Sequence, residues 1–141
     1  MGCDIHLHTE VKINNTWLHY STPWVSRNYS LFAKMAGVRN YDDLVPISEP
    51  KGLPQAEFPS TLTQFEAERW FGDGHSHSWL SAQEILELSE WIKEQEWGTK
   101  PFYFDETFGF LFGNTYPGFT KYPEGKPEGL QDIRFVFWFD N

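Results

Sequence analysis

The chain has 141 residues, a formal net charge of −9 and an aromatic content of 18%. That length makes one domain over 1–141, able to bury about two thirds of the surface its unfolded chain exposes; the acidic balance argues against a broad phosphate-tracking surface, so long nucleic acid is not an expected partner. A single cysteine excludes an intramolecular disulfide and suits a reducing cytosol. No apolar run has the length of a membrane span and the start lacks the pattern of a signal peptide, so a cytoplasmic protein with no membrane partner is expected. Thirteen Phe and seven Trp predict a core built on ring packing, with rings left over for a binding surface.

In chain order, alternation of faces predicts a strand from about 2 to 13, and Asn14-Asn15 supplies the positive φ of a tight hairpin turn into a second strand at 16–20. Leu31, Phe32, Met35 and Ala36 repeat at helical spacing, and Gly37 follows as a left-handed cap, which predicts a helix over 28–36. Pro46, Pro50, Pro54 and Pro59 with Gly52 forbid regular structure and stiffen an ordered loop. Ser60 or Thr61 caps a short helix through Leu62, Phe65 and Arg69, broken by Gly72 and Gly74. Ser81 and Glu84 are spaced as a capping box, behind which Ala82, Ile85, Leu86, Ser89 and Ile92 form one face of a helix running to about Glu96 and stopping at Gly98. From Thr99 to Gln131 a wrapping loop with a short strand at Phe108–Phe112 is expected. Ile133, Phe135, Phe137 and Phe139 alternate with Arg134, Val136 and Trp138, the pattern of an interior strand. Together these predict an α+β fold: a small, mainly antiparallel sheet holding the amino-terminal hairpin and the carboxyl-terminal strand, packed against two or three helices, with long ordered loops.

The chemistry-bearing residues fall in two stretches. On the first strand Asp4, His6, His8 and Glu10 share a face, with Cys3, Ile5, Leu7 and Thr9 on the other. Far down the chain, Asp73 precedes a second His-x-His pair, His75 and His77, so four of the five histidines lie in two pairs. If the stretches meet, His6, His8, Asp73, His75 and His77 offer imidazole and carboxylate donors for one divalent ion, zinc, manganese, nickel or iron, with Asp4 or Glu10 as general base. The loop at 72–80 would then cover a cleft along the first strand, because an unpaired polar row is too costly to bury. Cys3 is expected in the core, since it points away from His6. Arg27, Asn28, Tyr29, Arg39 and Lys51 surround the first helix and the proline loop, where they could grip a phosphate, with Tyr29, Trp24 or Trp79 stacking a base; the plain alternative is surface cations paired with the many acids.

The opening Met1-Gly2-Cys3-Asp4-Ile5-His6, the Arg27-Asn28-Tyr29 and Leu31-Phe32-Ala33 blocks, Ala36-Gly37-Val38-Arg39, Pro50-Lys51-Gly52-Leu53-Pro54, Asp73 to Leu80 and the closing Phe135 to Asn141 together resemble a family of small bacteriophage proteins. The resemblance covers nearly the whole chain, and its pattern is stricter at Asp4 and His6 than at His8. It implies an accessory protein in the cytosol of an infected bacterium; analogy with small phage proteins as a class adds the expectation that it counters host defence by acting on a small phosphorylated nucleotide. Three activities fit: metal-dependent hydrolysis of such a ligand, its sequestration without turnover, or inhibition of a host protein through the acidic surface. A homo-oligomer stays open in each.

Overall fold

The computed structural model describes residues 2–98 and 129–141. Its elements in order are β1 (Asp4–Ile13), β2 (Thr16–Ser21), α1 (Tyr29–Ala36), α2 (Thr61–Arg69), β3 (Gly74–Leu80), α3 (Ala82–Glu94) and β4 (Leu130–Asp140). The four strands make one antiparallel sheet in the order β2-β1-β4-β3, a small α+β fold with the first and last strands paired at its centre.

Local sequence accounts for the element ends. Asn14 and Asn15 take φ of 52° and 60°, the left-handed turn that closes β1 onto β2. The Asn28 side chain accepts from the Leu31 amide at 3.1 Å to start α1, and Gly37, at φ 73°, ends it. The Ser81–Glu84 capping box forms in both directions, but α3 stops at Glu94 with Gln95 as its cap, before Gly98.

One face of the sheet carries the core. Ile5 and Leu7 of β1, Phe135, Phe137 and Phe139 of β4 and Leu80 of β3 pack against Leu31, Phe32 and Met35 of α1 and Ile85, Leu88 and Ile92 of α3, with Cys3 buried among them. Each fully buried ring or branched chain contributes about 1.5–3 kcal/mol, so this inner face is what holds the sheet to its helices. The outer face carries Asp4, His6, His8 and Glu10, and α2 lies against it. α2 forms as expected, with Thr63 and Ala67 buried while Leu62 and Phe65 are exposed. The reason is polar. Glu10 needs hydrogen-bond donors, and the Thr63 hydroxyl supplies one at 2.9 Å.

The stretch expected to arch over the cleft, 72–80, is instead largely the edge strand β3. The proline-rich loop straps the far side of that edge, with the Gly52 amide donating to the His77 carbonyl at 2.8 Å and the Lys51 amide to Ser78 Oγ at 3.0 Å. The strand expected at Phe108–Phe112 and most of the 99–131 loop lie outside the described residues. Among the described residues no helix is long and apolar enough to cross a membrane.

Gly74, where β3 begins, has no room for a side chain: a Cβ there would stand 2.7 Å from the Trp70 carbonyl oxygen and 3.3 Å from Trp138. Gly74→Ala is expected to cost about 1–3 kcal/mol, as overpacking does, read as a lowered urea midpoint. An unchanged midpoint would show that the Trp70 turn yields freely.

Candidate functional site

The sheet gathers most of the chemistry-bearing residues at the end where β1 begins and β4 finishes. Asp4 faces Asp140 in register, and Gly74 faces Asp140 from the other side. Arg27 reaches Asp4 with two contacts, Nε to Oδ1 at 2.7 Å and Nη2 to Oδ2 at 3.3 Å, and its guanidinium lies over Gly2, where a Cβ would collide with it. Arg27 holds the Asp4 carboxyl below its usual range. The Tyr29 hydroxyl accepts from the Cys3 amide at 3.1 Å, and the Arg39 guanidinium sits 5.4 Å from the Tyr29 ring centre. Arg39 also donates to Tyr41 and to the Asn141 side chain, and Asn141 in turn meets His75 Nε2 at 3.2 Å.

His6 is fixed by Asp140, with Nε2 and Oδ2 2.6 Å apart, and its ring packs 4.2 Å from the Trp70 ring. The two His-x-His pairs do not meet around one point. β4 runs between β1 and β3, and the fully buried Trp138 indole fills the space, with His6, His8 and His77 stacked near it at ring separations of 6.0, 5.0 and 5.7 Å. His75 and His77 also part company. The β3–β4 register slips between His75 and Ser78, with Ser76 at φ 56°, so His75 packs beside Phe139 on the inner face while His77 stacks on Trp138 on the outer one. Asp73 sits exposed in the turn before β3. Among the described residues no three of His, Cys, Asp and Glu converge as a metal-holding group, so the five-ligand cluster expected from the sequence does not form there.

Glu10, the other expected general base, is wholly buried. One oxygen takes Arg134 Nε at 3.0 Å and Nη2 at 2.9 Å; the other takes the Ser60 amide at 2.7 Å and the Thr63 hydroxyl. A carboxylate with four donors has no free lone pair directed at a substrate. Lys51 and Trp79 stand apart from the Arg27 end: Lys51 bridges to Glu84 at 2.5 Å and lies 3.8 Å from the Trp79 ring centre, at the start of α3. Asn28 is taken up as the α1 cap.

β2 pairs with β1 from Thr9 onward, so the Asp4–His8 edge of β1 faces the 22–27 segment. Between them lies a cleft of about 570 Å³ lined by Asp4, His6, Thr22, Trp24 and Arg27 among others. Trp24 is 80% exposed. At the inner end of the same segment, His8 Nδ1 meets His19 Nε2 at 3.1 Å, and His19 Nε2 meets Thr22 Oγ1 at 3.0 Å. Burial, and then the His19 charge, push His8 down to about 4; burial likewise lowers His19.

Asp140, His19, Thr22 and Trp138 were not singled out by the sequence reading. Two of them had a signal. The Asn14–Asn15 turn sets Glu10 opposite His19 and so brings His19 near the polar row, and pairing of the first strand with the last puts Asp140 against Asp4. Set against protein-family models, curated proteins and solved structures, the chain matches none of them.

Proposed function

We propose that the chain binds a small anionic ligand carrying an aromatic ring, a nucleotide by chemistry, in the cleft beside the amino-terminal half of β1, and sequesters it without turnover. The observation that carries this reading is that an exposed Trp24 and Arg27, three residues apart in one segment, both line that cleft. The overall charge of −9 works against an anion, so the cation that attracts it has to be local. Arg27 suits that task because its ion pair with Asp4 is exposed, with the two side chains 55% and 47% accessible. Such a surface pair is worth about 0–1 kcal/mol, so a phosphate can take over the guanidinium at small cost. The buried Glu10–Arg134 pair offers no such exchange. Trp24 then supplies a stacking platform for a base. In an infected bacterium, removal of a nucleotide messenger in this way would blunt a host defence.

A second reading, hydrolysis, is favoured by one contact: the Asp140 carboxylate orients the His6 imidazole, as a general base requires. One experiment separates the two. Purified protein is incubated with cyclic and linear nucleotides, the protein is denatured, and the ligand is recovered. Intact ligand, with affinity falling about tenfold or more in both Trp24→Ala and Arg27→Ala, is the expected result. Product formation that His6→Gln abolishes would establish the hydrolytic reading. Binding of no ligand in the panel, or binding indifferent to both cleft variants, would overturn the cleft as the site.

A further inference from the structure

We infer that His8 Nδ1, His19 Nε2 and Thr22 Oγ1 form a binding site for a first-row divalent metal ion such as zinc or cobalt. The three atoms make a triangle with sides of 3.1, 3.0 and 3.5 Å. Two donors each about 2.0–2.1 Å from one zinc ion, at angles between a right angle and a tetrahedral one, stand roughly 2.9–3.4 Å apart. The triangle has the dimensions of one coordination face.

In the metal-free protein hydrogen bonds hold these atoms together: with the proton on His19 Nε2, that N–H faces Thr22 Oγ1 and His8 Nδ1, and the Thr22 hydroxyl donates to His8 Nδ1. A neutral ring nitrogen has a single site, either a proton or a lone pair. The His8 Nδ1 lone pair and the Thr22 oxygen already point into the triangle, and only the proton on His19 Nε2, 3.0 Å from that hydroxyl, has to leave it. A cation at the centre takes the place of these hydrogen bonds, with both lone pairs and the hydroxyl oxygen converging on it. One ring changes tautomer, its proton moving to the other ring nitrogen, so the two neutral rings release no net proton on binding.

Three features of the fold build the site. The β1–β2 register slips between Thr9 and Glu10, with Tyr20 as the extra residue in β2, and this sets His19 beside His8. Stacking on Trp138 fixes the buried His8 ring. Burial favours the neutral form of both rings, the form that ligates. Thr22 is exposed and lines the cleft of the previous section, while His19 lines a second groove with residues 56–62, so the remaining coordination positions open to solvent. Two imidazoles and a neutral hydroxyl suit zinc, nickel or cobalt better than magnesium or calcium, which prefer carboxylates.

The site is independent of the nucleotide reading and is tested with metal alone. Full-length protein stripped with chelator is titrated with Co²⁺, followed by visible absorption, and the Co²⁺ is then displaced with Zn²⁺. One saturable equivalent per chain is expected, weakened at least about tenfold in His19→Gln, weakened in Thr22→Val, and unchanged in His75→Gln. Imidazole ¹⁵N spectra of the wild-type protein give a readout that needs no variant to fold: Zn²⁺ should shift the His8 Nδ1 and His19 Nε2 resonances. No saturable binding, Zn²⁺-dependent shifts on other histidines, or wild-type affinity in His19→Gln would overturn the assignment.

Discussion

Glu10→Ala should destabilise the protein by about 3–5 kcal/mol, a large part of the 5–15 kcal/mol that holds a domain of this size. The loss comes from what the substitution leaves behind. Arg134 is nearly as buried as Glu10, lies 4.0 Å from the Trp17 ring centre and also donates to the Phe58 carbonyl at 3.2 Å. Burial already pushes the Arg134 guanidinium down, and Glu10 is the main group opposing that shift. Without Glu10 the buried cation keeps one carbonyl and the weaker influence of Glu57 and Asp132, while the Ser60 amide and Thr63 hydroxyl lose their acceptor, and α2 loses its polar anchor on the sheet. The double variant Glu10→Leu with Arg134→Met should recover much of the stability, because it removes both charges together. Urea unfolding of the single and double variants checks this. A single variant within about 1 kcal/mol of wild type would mean that water reaches Arg134 and that Glu10 is free for another role.

The second large effect is with pH. His8 ionises near 4 in the folded protein against about 6.5 in an unfolded chain, so between these values the unfolded state takes up a proton that the folded state refuses. The sign follows: stability is fully present above pH 6.5 and falls as the pH drops toward 4, by roughly 3 kcal/mol from this ring. His19 and His77, lowered by burial, add in the same direction. The Asp4 carboxyl, lowered by Arg27, contributes only further down, below its usual range. Urea midpoints measured with chelator present and at constant ionic strength should decline between pH 6.5 and 4.5, and His8→Phe should flatten much of that decline. A wild-type midpoint level across this window would mean that His8 is solvated.

The fold was legible because its signals are local. Asn14-Asn15, Gly37, the Ser81–Glu84 box and the alternation of Ile133 to Phe139 each act within a few residues, and each forms the element it announces. The misplaced features share one cause, which is dependence on a neighbour remote in sequence. Leu62 and Phe65 mark α2 in the sequence, but Glu10, 53 residues before Thr63, turns Thr63 to the sheet instead. His75 and His77 look like one pair until the slipped β3–β4 register divides them between faces. The proline loop is ordered as expected, and what fixes its place is the contact of Gly52 and Lys51 with β3.

For the site, local sequence settles which side chains share a row: Asp4, His6, His8 and Glu10 stand on one face because a strand repeats every two residues. What each of them meets depends on how the strands assemble. The strand order β2-β1-β4-β3 interposes Trp138 between the two histidine pairs, buries Glu10 on Arg134, gives His6 to Asp140, and turns His8 toward His19 and Thr22. Alternation along a strand is a property of the local backbone, whereas partners across a sheet depend on strand order and on one-residue slips in register, which bonding between distant segments sets.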